Sequence, residues 1–203
     1  MTDTVLVFKR AAGLCSVLAP LALAAGDVMQ FGGGSAFGRT IVHWVAFVFF
    51  VPAVIGATHL AASRGSRVAL AGGASAYFGA MAGASMQVFF RVWAVLDEAG
   101  APQSVALLRG SGKLVATTQM IGIFFPLGLI LLAFGLYRSR AVGLPVALAL
   151  AGGAVLFPMA RIGGLLVGFI GGDLLLITAF GVIGLRLLAE GAQAVAAPAQ
   201  VRS

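Results

Sequence analysis

Apolar residues run through the chain in six long blocks, 11–29, 41–62, 68–95, 114–137, 142–160 and 163–187, and the short segments between them hold most of the charges. Within each block the apolar positions are continuous and do not alternate with polar ones. That pattern excludes a half-exposed strand and predicts helices that are apolar on every side. Each block approaches or exceeds the roughly 20 residues a helix needs to cross a hydrocarbon core. Only helices or closed barrels satisfy their backbone hydrogen bonds in lipid, and continuous apolarity selects the helix. The expected fold is all-α: a polytopic membrane bundle of six transmembrane helices, with residues 1–203 forming one domain.

Composition agrees. Hydrophobic residues make up 61% of the chain, charged residues 9%, and the mean hydropathy is +1.07. A soluble domain carries about 25% charged residues, so this chain lacks the means to cover a water-facing surface. Disordered chains are poor in apolar residues, which excludes that class too. Cys15 is the single cysteine, so no disulfide framework is available.

The net charge of +7 does not form a nucleic-acid patch, because the basic residues fall as short pairs between apolar blocks. They read instead as topology signals. Lys9, Arg10, Arg64, Arg67, Arg138, Arg140, Arg186 and Arg202 fall on one side of the membrane. Arg39, Arg109, Lys113 and Arg161 fall on the other, with Arg91 just inside a helix end. The positive-inside rule then places both termini in the cytoplasm, and the bacterial cytoplasmic membrane is the expected location. The lipid bilayer is the first partner expected.

The external segments 29–40 and 97–113 read as loops rich in glycine, the second able to lie along the surface. Lys9 and Arg10, an apolar run and the small residues at 21–25 also match a secretory signal, which on cleavage would leave five helices. Ser75, Gly79 and Gly83 recur every four residues, as do Gly164, Gly168 and Gly172. Such stripes allow close helix approach, either within the bundle or against a second copy or a partner membrane subunit. Pro20, Pro52 and Pro126 each lie near the middle of an expected span, where proline kinks a helix.

Candidate chemistry rests on the polar residues inside the blocks, since an ionisable group within a bilayer is costly and needs a partner or a task. Asp173 lies ten residues into the last block, about 15 Å along the helix and near the midplane. Asp27, His43, Gln87, Arg91 and Gln119 gather toward the outer half, and Arg161 sits at an outer loop. If their faces point inward, they line a polar ligand-binding chamber open to the outside and floored by Asp173. One reading has Asp27 paired with Arg91 or Arg161 and the network holding helix register. The other has Arg91 binding an anionic group while Asp173 or His43 exchanges a proton.

No metal site, catalytic residue or cofactor is expected. His43 and His59 share one helix, about 160° and roughly 24 Å apart, so they do not ligate one haem together. Phosphate-binding, zinc-hydrolase and serine-hydrolase motifs are missing, which disfavours an enzyme.

The run 127–140, followed by Gly143 and Pro145, together with Arg10, Ala11, Ala12 and Gly13, resembles six-helix bacterial integral membrane proteins of the domain-of-unknown-function type. The resemblance implies a layout and transfers no activity. Two functions are expected as alternatives: binding or translocation of a small or lipid-like ligand, or a non-catalytic accessory or assembly subunit of a membrane complex. A membrane redox subunit is a distant third.

Overall fold

The computed structural model describes residues 3–115, 121–164 and 166–200, and these are helical apart from short connections. The helices are α1 Asp3–Phe31, α2 Ala36–Ala62, α3 Arg67–Glu98, α4 Pro102–Gly110, α5 Gly112–Val115, α6 Phe124–Arg138, α7 Leu144–Gly163 and α8 Leu166–Gln200. Five of them, α1, α2, α3, α7 and α8, are long and apolar enough to cross a membrane. The architecture is that of an integral membrane protein.

Local chemistry sets the helix ends. Ser35 and Ser66 cap α2 and α3, their hydroxyls accepting from the amides of Gly38 at 3.1 Å and Ala69 at 3.3 Å. Pro145 stands in the first turn of α7, where its missing N–H is no loss. Gly164 ends α7 with φ +64, in the left-handed region that glycine enters without steric cost. It therefore does not lie on the last helix, and the stripe expected of Gly164, Gly168 and Gly172 loses its first member.

Around the bundle, α1, α2, α3, α6, α7 and α8 each pack on the next, and α8 closes the ring on α1. Helix α2 also touches α6 and α8, which draws it toward the centre. There Phe47 and Phe50 meet Phe125 of α6, Phe157 of α7 and Phe180 of α8, mostly edge to face. Small residues permit the closest approaches. A Cβ on Gly128 would run into the backbone of Ala76, and one on Gly79 into that of Phe125, so α3 and α6 are in backbone contact.

Several expected boundaries move. Helix α1 starts at Asp3 and α8 runs to Gln200, beyond the ends of their apolar blocks, and the two extensions are joined by Lys9 and Glu190 at 2.9 Å. The segment 21–25 lies within α1, whose Ala19 and Leu23 belong to the core. Of the fourth block, expected as one helix from 114 to 137, residues 116–120 lie outside the described residues. Helix α6 has 15 residues, about 22 Å, and the segment 97–113 before it carries α4 and α5. Pro126 falls in the first turn of α6, not mid-span, whereas Pro20, Pro52 and Pro158 lie inside α1, α2 and α7.

Candidate functional site

Four polar side chains from four helices meet at the end of the ring where α1 and α7 finish and α2 and α8 begin. Asp27 lies one turn before the end of α1, and His43 two turns into α2. Arg161 lies in the last turn of α7, where a cation suits the carbonyl end of the helix dipole. Asp173 is seven residues past the start of α8, about 10 Å along it. The span of α8 runs from Leu166 to Gln193, so Asp173 sits in its first third and not near its middle, because the helix both begins and ends later than the expected block 163–187.

Asp27 is the hub, with only 3% of its surface exposed. Its Oδ1 lies 2.9 Å from Nε2 of His43, and its Oδ2 accepts from Nη2 of Arg161 at 2.5 Å. Of the two partners expected for Asp27, Arg161 is the one found, and His43 joins it. Arg161 also donates through Nη1 to the carbonyl of Phe157 at 3.2 Å. Its guanidinium stacks 3.9 Å from the Phe157 ring centroid and 5.0 Å from that of Phe169. Asp173, also buried, interacts with both Asp27 and Arg161.

Counting charges shows what this arrangement can do. Two carboxylates face one guanidinium, with an imidazole that is neutral or cationic. One proton, placed on a carboxyl or on His43, makes the group neutral. In a low-dielectric interior an uncompensated charge is expensive, so the group favours holding one proton or one cationic partner. No trio of His, Cys, Asp or Glu among the described residues is placed to hold a metal ion.

The other expected residues divide. Gln87 is buried on α3 at the height of His43, because Gly83, one turn earlier, packs against Phe47, one turn later on α2. Arg91 stays apart from Asp27. Its guanidinium lies 5.8 Å over the Phe37 ring, and its Nε and Nη2 are buried with no hydrogen-bond partner among the described residues. Gln119, with Thr117 and Thr118, lies outside the described residues. His59 is exposed near the far end of α2, well away from His43.

Two contributors escaped the sequence reading. A Cβ on Gly26 would collide with the imidazole of His43, so this glycine makes room for the ring beside Asp27. Phe157 supports Arg161 from one turn earlier on the same helix. The i, i+4 spacing of Phe157 and Arg161 was a signal for that contact, whereas nothing in the sequence distinguished Gly26 from 28 other glycines.

No protein-family model matches the chain, and neither does any curated protein or solved structure.

Proposed function

We propose that the protein binds or translocates a small or lipid-like ligand through the polar end of the bundle, with Asp27, His43, Gln87, Arg91, Gln119, Arg161 and Asp173 as its binding residues. In this reading it crosses the bacterial cytoplasmic membrane six times, α6 supplying the sixth crossing. Both termini are cytoplasmic, and the polar end faces outward. The observation that supports it is the buried group of two carboxylates, one guanidinium and one imidazole, which is one positive charge short of balance while His43 is neutral. A group needing only to fix helix register is served by a balanced pair. The surplus carboxylate provides a place for an exchangeable proton or for a cationic group of a ligand.

A second reading has one observation in its favour. Asp27 is satisfied by His43 and Arg161 together, as in a network that holds helices in an accessory subunit of a larger complex. Native mass spectrometry of the protein gently extracted from its host membrane separates the two. Ligand binding predicts a lone chain or homodimer with a reproducible extra mass that Asp173→Asn removes without unfolding the bundle. Co-release with a different polypeptide, and no extra mass, would transfer the account to the accessory subunit.

A further inference from the structure

The opposite end of the ring carries a charge cluster that the polar site does not use. Arg64 lies in the turn between α2 and α3, Arg67 opens α3, Arg138 ends α6, and Arg140 lies in the turn between α6 and α7. The two turns touch: Nη1 of Arg64 donates to the carbonyl of Arg140 at 3.2 Å. Helices α3 and α6 are in close contact just beneath, a Cβ on Gly135 falling 2.6 Å from the amide nitrogen of Ala69. The four arginines thus flank two touching turns at one end of the bundle, and all four are exposed. None forms an ion pair with a carboxylate among the described residues.

Packing four like charges together without an acid between them is unfavourable, and more so beside a hydrocarbon region that screens them poorly. An anion relieves the repulsion, and guanidinium groups are shaped to bind phosphate through paired hydrogen bonds. The surface adjoining the cluster on the bilayer side is apolar. Leu70 lies one turn from Arg67, while Phe134 and Leu131 lie one and two turns from Arg138, and all three are 44–52% exposed. Tyr137, 46% exposed, stands beside Arg138 at the level where aromatic side chains favour the membrane interface.

We propose that Arg64, Arg67, Arg138 and Arg140 form a binding site for the phosphate headgroup of an acidic phospholipid, whose acyl chains lie along Leu70, Leu131 and Phe134. The site depends on the chain lying in a membrane, and it is independent of any ligand bound near Asp27.

The test titrates the full-length protein in neutral detergent micelles with phosphatidylglycerol, phosphatidylcholine or inorganic phosphate, and reads bound lipid by native mass spectrometry. Phosphatidylglycerol is expected to bind at least tenfold more tightly than phosphatidylcholine. Removing two of the charges, as Arg138→Gln with Arg140→Asn, should weaken phosphatidylglycerol about 30-fold. Asparagine suits position 140 because the backbone there is left-handed, with φ 55. The control Arg10→Gln with Arg109→Gln loses the same charge elsewhere and should change binding less than threefold. Equal losses in both double variants, or equal affinity for the two lipids, would overturn the proposal. Inorganic phosphate displacing phosphatidylglycerol at millimolar concentration would also overturn it, by identifying a soluble anion as the occupant. If the double variant does not fold, Arg138→Gln alone serves, with a loss of about fivefold expected and no loss contradicting the site.

Discussion

Asp27 and Asp173 are close neighbours whose removal should have opposite consequences. Asp27 compensates Arg161 directly and receives His43 on its other oxygen. Taking it away breaks the hydrogen bonds to both Arg161 and His43 in a mostly buried setting and leaves Asp173 as the remaining carboxylate beside the guanidinium, a change that costs about 3 kcal/mol. Neutralising Asp173 removes the surplus negative charge and leaves the Asp27–Arg161 pair whole. Thermal unfolding in detergent should therefore show Asp27→Ala strongly destabilised and Asp173→Asn as stable as the parent or more so. Equal destabilisation of the two would contradict the place of Asp27 as the hub of the group. At this scale the polar residues were legible because they interrupt apolar blocks, and Asp27, His43, Gln87 and Asp173 are all buried. Their pairing was only half legible. Arg91 and Arg161 both lay at the correct end, and spacing along the chain does not say which helix lies beside α1.

At the scale of the element, the glycines that matter are those facing another backbone. Gly128 sits against Ala76 at the α3–α6 crossing, and an added methyl has nowhere to go without separating the helices. Gly181 on α8 has nothing within 4 Å of where a Cβ would stand. Gly128→Ala should destabilise the bundle by about 1–3 kcal/mol through overpacking. Gly181→Ala should be neutral or stabilising by up to about 1 kcal/mol, since alanine is the better helix former. Melting temperatures of the two variants check the contrast, and a tolerated Gly128→Ala would show that the crossing is looser than described. The stripe Ser75, Gly79, Gly83 was visible as a period of four, and Gly79 meets the backbone of Phe125 as such a stripe should. The stripe starting at Gly164 failed because that glycine ends a helix. A period in the sequence does not reveal where a helix stops. In the fourth apolar block, continuous in composition from 114 to 137, the helix that packs against α3 begins at Phe124.

Over the whole molecule, the helices form the ring α1, α2, α3, α6, α7, α8, and the short turns 63–66 and 139–143 make α2 with α3 and α6 with α7 antiparallel neighbours. Those two pairings follow from loop length, whereas no residue pattern in the sequence marks the closure of α8 on α1, because nothing there says which non-consecutive helices touch. The same ring separates the charges. The Asp27 group, the connection 32–35 and Gly164 lie at one end, while the arginine turns 63–66 and 139–143 lie at the other. Our account makes the first end external and the second cytoplasmic. The most direct test is labelling of single cysteines in intact cells with a membrane-impermeant maleimide, on a Cys15→Ser background. Ser35→Cys, in the turn near Asp27, should label in intact cells. Ser139→Cys, beside the arginine turn, should label only after the membrane is opened. Reversed labelling would contradict the orientation, and labelling of both in intact cells would contradict the membrane-spanning bundle on which the proposed site depends.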